Sequence, residues 1–131
     1  MRHRPVMLLP LLCANALAPA WAQDPMIAAP AHYRVVFENE RIRVLEGRDQ
    51  LGERIPMHAH PDTLMVVLSP FKRRLTLANG RQLEVSTQLG DTRWMPAQSH
   101  AGENIGQTET RALFIEFKTP AFAPPAASAP P

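Results

Sequence analysis

The stretch "PMHAH" at residues 56 to 60 places His58 and His60 one residue apart, immediately before the apolar run "TLMVVLS" at 63 to 69. On an extended strand, residues two apart project to the same side, with Cα atoms about 6.5 to 7 Å apart. Two imidazoles at that separation can converge on one transition metal ion. By the same alternation Met57 and Ala59 face away, which argues against a copper site built from Met57 and His58. A third histidine, His100, follows forty residues after His60 at the start of "HAGEN". Spacing alone does not bring it to the other two. The plain alternative is two histidines in a partly wet cavity, hydrogen-bonded to backbone, with no metal.

The elements that must carry these residues read as strands. Short runs with period two recur between turn signals, and no window sustains the three-and-four spacing of an amphipathic helix. Strands are expected at 33 to 38 (YRVVFE), 41 to 48 (RIRVLEGR), 56 to 60, 63 to 69, 73 to 78 (RRLTLA) and 81 to 85 (RQLEV). Two more, "TRWMP" and "SHAGEN", follow Gly90-Asp91, and "TRALFIEFK" at 110 to 118 reads as the last, apolar on both faces. Asn79-Gly80 is the strongest hairpin signal, because both tolerate the positive φ that a two-residue type I′ turn demands. Eight or nine short strands in under ninety residues imply an all-β sandwich or barrel. The runs at 63 to 69 and 110 to 118 are too apolar for one face to sit in water, so they lie deep or form a subunit contact. A homodimer is expected on that ground.

The chain of 131 residues has room for one modest core. Residues 1 to 22 have a basic start, an apolar middle and the ending Ala20-Trp21-Ala22, the layout of a secretory signal peptide cleaved after Ala22. Periplasmic or secreted location follows. The apolar run is too short and too broken by Pro10 and Pro19 for a span. Cleavage removes the single cysteine, Cys13, and leaves no disulfide to form. It also removes Arg2 and Arg4 from fourteen basic residues, leaving twelve against twelve acidic ones, so nothing points to nucleic acid or to an anionic membrane. Residues 23 to 31 are expected to form a short extended leader, 32 to 118 the folded domain, and 119 to 131, rich in Pro and Ala, a disordered tail.

Two segments resemble a known family. Gly52 to His60, "GERIPMHAH", is similar to the first cupin motif, a glycine followed by H-x-H, and Gly90 to Asn104, "GDTRWMPAQSHAGEN", resembles the second, with glycine, proline, histidine and asparagine in order. The resemblance implies a small single-domain cupin: a jelly-roll β-barrel, or double-stranded β-helix, with His58, His60 and His100 pointing inward towards a divalent metal. The sequence departs from the pattern twice. Leu64 and Met65 stand where the first motif continues to a glutamate, and "PAQSH" is one residue short between proline and histidine, with Gln98 in place of glycine. What the resemblance leaves is a neutral three-histidine set, suited to Zn²⁺ or Fe²⁺, with Ni²⁺, Mn²⁺ and Cu²⁺ as alternatives, or to no metal at all. Without a carboxylate ligand the ion keeps its full charge, which favours an anionic substrate or hydroxide. Asp62 and Glu46 are the candidate replacement carboxylates. Asp62 also reads as a solvated turn residue, and Glu46, in phase with Ile42 and Val44, as an inward carboxylate or the partner of an arginine.

Other residues read as structural. Trp94 and Met95 suit core or rim packing, Lys72-Arg73-Arg74 a solvated turn and His32 an exposed position before the first strand. Ser69, Ser86 and Ser99 lack a neighbouring base pattern, and no glycine loop suits a phosphate. Three functions stay open: a metal-dependent enzyme on a small molecule, redox or Lewis-acid; a small-ligand or metal-binding module without turnover; and a structural dimeric barrel.

Overall fold

The computed structural model describes residues 23–118; the expected signal peptide and the Pro/Ala-rich tail lie outside the described residues. Nine strands follow one short helix: α1 Pro25–Ala28, β1 Tyr33–Glu38, β2 Ile42–Asp49, β3 Arg54–His60, β4 Thr63–Ser69, β5 Lys72–Leu77, β6 Gln82–Ser86, β7 Thr92–Met95, β8 Gln98–Asn104 and β9 Thr110–Phe117. They form two antiparallel sheets, β1-β2-β9-β4-β7 and β3-β8-β5-β6. Their facing sides enclose one interior, the jelly-roll barrel that the two motifs imply.

Alternation sets what faces inward. On β9, Thr110, Ala112, Phe114 and Glu116 are buried while Arg111, Leu113, Ile115 and Phe117 are half-buried on the outside; on β4, Thr63, Met65 and Val67 point in and Leu64, Val66 and Leu68 point out. Leu45, Val67 and Ala112 are fully inaccessible at the centre of the core, with Ile55, Phe71 and Phe114 around them. The outer face of the larger sheet is also apolar. Val44 and Leu64 both register with Ile115, and Val66 registers with Leu113.

The structure departs from expectation in four places. Residues 23 to 31 are packed, not a bare extended leader. Asp24 caps α1 by accepting from the Met26 amide, Pro25 occupies the first helical position where a missing N–H costs nothing, and Ala29 joins the core. Second, the hairpin between β5 and β6 uses three residues, Ala78 to Gly80. The Gly80 amide donates to Leu77 O and Gly80 takes φ +82°, the turn-plus-bulge solution instead of the two-residue one. Third, Lys72-Arg73-Arg74 lies within β5, and Arg73 points into the barrel to pair with buried Asp49. A solvated turn is ruled out because the strand begins at Lys72. Fourth, His32 is half-buried, with Nε2 3.5 Å from a Glu53 carboxylate oxygen.

Candidate metal centre

Two strands of the smaller sheet bring the three histidines together. β3 is an edge strand of that sheet, and its ladder with β8 shifts between Ile55 and His58, around Pro56, which has no N–H to contribute. The shift lets Ile55 and His58, three residues apart, both point inward. His60 follows at the normal period. His58 then lies directly opposite His100 in the ladder. The shortened "PAQSH" segment therefore does not displace His100, because pairing with β3 fixes its position. One nitrogen from each of the three rings lies within 4.8 Å of the other two, and all three residues are buried.

The ring partners assign the protons. His58 Nδ1 is 2.7 Å from Pro56 O, which only accepts, so Nδ1 carries the hydrogen and Nε2 holds a lone pair; the Tyr33 hydroxyl, 3.0 Å away, donates to it. His60 Nδ1 is 2.7 Å from a Glu116 carboxylate oxygen and donates to it, and His60 Nε2 is buried with no partner. His100 Nδ1 is likewise buried without a partner. Burial pushes His58 down to about 4 and His100 down to about 3, with the mutual repulsion of the cluster adding to it. Both are neutral at pH 7. Stacking of His60 on Phe114, with centroids 5.0 Å apart and planes 10° apart, fixes the second ring.

Buried nitrogens without partners are costly unless something binds them. A cation that takes nitrogen ligands satisfies them, and the His60–Glu116 pair has the form of a metal-ligating imidazole oriented by a carboxylate. Glu116 is itself held by Arg43, whose Nε donates at 2.8 Å and whose Nη2 lies 2.6 Å from both Glu116 and Asp24. A chain thus runs from Asp24 in the leader through Arg43 and Glu116 to His60.

Neither carboxylate considered from sequence replaces the missing ligand. Glu46 points out of the barrel, because the Ile42 and Val44 face to which it belongs is the outer face of the sheet. It lies there beneath Arg34, Arg48 and Arg111, the arginine-paired alternative. Those guanidiniums, Arg111 foremost, hold its carboxyl down at about 2 against its burial. Asp62 accepts from the Ala97 amide at 2.8 Å and so braces the turn. Met65 and Thr63 occupy the inward positions of β4, so the glutamate of the cupin pattern has no equivalent there. Trp94 is 55% exposed against Phe117 and Met95 packs on the core, and both also belong to the lining of the cavity beside His100. Reading the sequence missed Tyr33, Arg73 and Glu116. The signal for Glu116 was its phase with Thr110, Ala112 and Phe114, which puts a carboxylate on an inward position.

Beside the histidines lies a cavity of about 160 Å³, with His100, Tyr33, Arg73 and Thr110 among its polar lining and Met65, Phe71, Leu75 and Phe114 among its apolar lining. A wider groove of about 500 Å³ on the outer face of the smaller sheet is bounded by Arg54, Arg74 and Glu103, which satisfy one another.

Comparison of the structure with solved proteins finds the same architecture repeatedly. The chain is similar to a cupin domain from Bordetella pertussis Tohama I, with TM-score 0.61 and 26% identity over 66% of this chain and 92% of that one. It is similar to a conserved protein with a double-stranded β-helix domain from Klebsiella pneumoniae, with TM-score 0.55 and 22% identity over 69% and 78% of the two chains. The polyketide cyclase RemF from Streptomyces resistomycificus matches at TM-score 0.50 and 21% identity, over 65% and 63%. No protein-family model matches the sequence, and no curated protein matches it at a significant level.

Proposed function

Given that this chain has the cupin fold, we propose that its barrel binds one divalent transition metal through His58, His60 and His100 and acts on a small molecule admitted to the adjoining cavity. The observation that carries the reading is the pair of buried, partnerless nitrogens, His60 Nε2 and His100 Nδ1, set beside His58 Nε2, which would exchange its hydrogen bond from the Tyr33 hydroxyl for the ion. Three neutral imidazoles suit Zn²⁺ or Fe²⁺ best, with Ni²⁺, Mn²⁺ and Cu²⁺ compatible, and such an ion when bound supplies Lewis acidity or, for iron, redox chemistry. The chain's own residues orient and exclude. Glu116 fixes the ring of His60, Pro56 O fixes that of His58, and the apolar lining keeps bulk water from the ligand. The cyclase among the fold neighbours supports enzymatic use of such a barrel.

The test loads the protein with Fe²⁺ or Zn²⁺ and offers small phenols, thiols and diketones while oxygen uptake and product are followed. Turnover that disappears in His60→Ala supports the enzyme; saturable binding without turnover assigns a binding module; failure to take up metal removes the centre.

We also propose export and a homodimer. The Ala20-Trp21-Ala22 ending supports cleavage before Gln23. The apolar outer face of Val44, Leu64, Val66, Leu113 and Ile115 supports isologous pairing with a second copy, which a two-fold axis through that one patch satisfies. Sedimentation of the mature protein at micromolar concentration would give a monomer if this is wrong, and Leu113→Glu should dissociate the dimer if it is right.

A further inference from the structure

We propose that the cavity selects a small, mainly apolar monoanion of about one ring in size, its carboxylate-like head held by Arg73 and Thr110 and its body against Met65, Phe71, Leu75 and Phe114. This deepens the reading above and rests on it for the charge of the ion.

Size comes first. A cavity of about 160 Å³ is close to the roughly 150 Å³ known to accept a benzene ring in a protein interior. Its apolar walls offer a body of that size nothing to hydrogen-bond.

Charge comes second. The charged groups that point into the barrel are paired, Arg73 with Asp49, Arg43 with Glu116, and Arg93, which also lines the cavity, with Asp91 at 3.4 Å. A dication on three neutral imidazoles would leave two positive charges unmatched in a buried space, which is unfavourable until an anion enters.

The polar atoms come third. The side chain of Arg73 is 11% exposed, and among the described residues its only hydrogen bond is from Nη1 to Asp49. Nε and Nη2 make no hydrogen bond among the described residues and lie over Gly102 at the cavity wall. Gly102 makes this position available, since a Cβ there would fall inside the guanidinium. Arg73 shares the cavity lining with Tyr33 and His100. Thr110 lines the same cavity, is 3% exposed, and its Oγ1 has no partner. A buried hydroxyl without a protein partner is open to a ligand atom or a water at that wall.

The test is calorimetric titration of the Zn²⁺-loaded mature protein with benzoate and, separately, with benzamide, which has the same shape and no charge. Benzoate should bind at least tenfold more tightly. Thr110→Val, which keeps the volume and removes the hydroxyl, should weaken benzoate several-fold without lowering the thermal midpoint. Arg73→Gln should narrow the benzoate-to-benzamide ratio several-fold without abolishing it, because the charge of the ion remains. If that variant fails to fold because it strands Asp49, the wild-type ratio and Thr110→Val decide. Equal affinities, no binding of either ligand, or unchanged benzoate affinity in Thr110→Val overturns the inference. Metal content of the same samples is read independently, so loss of the centre and loss of anion selectivity are told apart.

Discussion

Replacing Glu116 by glutamine isolates the device that orients His60. The carboxylate is 1% exposed and holds two donors at once, His60 Nδ1 at 2.7 Å and Arg43 Nε at 2.8 Å. Glutamine keeps the shape but has one acceptor, so either the histidine or the arginine loses its partner and the amide N–H meets a donor. Such a carboxylate behind a metal-bound imidazole contributes about 10- to 100-fold in metal affinity, or roughly 1.4 to 2.7 kcal/mol. The fold should suffer less than from breaking an isolated buried pair, because Arg43 keeps Asp24; a loss of about 1 to 3 kcal/mol is expected. Competition against a chromophoric chelator measures the first quantity and urea denaturation of metal-free protein the second. Glu116→Gln should bind one equivalent of metal about ten to a hundred times more weakly than wild type, whereas His60→Ala should retain no tight site. Wild-type affinity in Glu116→Gln would refute the reasoning, since it would reduce Glu116 to a partner of Arg43 alone.

Three further outcomes follow. A Cβ at Gly47 would lie 2.7 Å from Phe114 and 2.9 Å from Tyr33, both against the histidines, so Gly47→Ala should cost about 1 to 3 kcal/mol of stability and weaken metal binding, measured by denaturant melts and the same competition assay. The carboxyl of Glu46 is held at about 2 in the fold against an ordinary value of 4.5, so it stabilises fully above pH 4.5 and that contribution is lost as pH falls towards 2. The stability gap between wild type and Glu46→Gln should therefore close over that window in acid denaturation. Chelation should lower the thermal midpoint of metal-loaded protein, by an amount equivalent to about 2.7 kcal/mol when free metal stood at a hundred times its dissociation constant, and should leave His58→Ala unmoved.

The β-rich class and the two histidines on one face were legible because strand parity is local: His58 and His60 share a side whatever the rest of the chain does. The convergence of His100 was not local. It depends on β3 pairing with β8 in one register, and the motif resemblance supplied what spacing did not. Parity also misled at Glu46. Its phase with Ile42 and Val44 was clear, but which of two apolar faces would be the barrel interior is decided by the partner sheet, and the Leu45 side won. Arg73 was hidden by composition: three successive cations next to a proline look solvated, and only the cross-barrel carboxylate of Asp49 makes the inward position tolerable. The packed leader was missed because its burial rests on a few small anchors, Pro25 and Ala29, and on ion pairing by Asp24, none of which shows as hydrophobic periodicity.

The most direct test of the central claim is an anomalous difference map from a crystal of the mature protein soaked in Zn²⁺ and measured at the zinc edge. One strong peak about 2.0 to 2.1 Å from a ring nitrogen of each of His58, His60 and His100 is the expected result. A map with no peak among the three rings, at full soak concentration and with the histidines ordered, would contradict it.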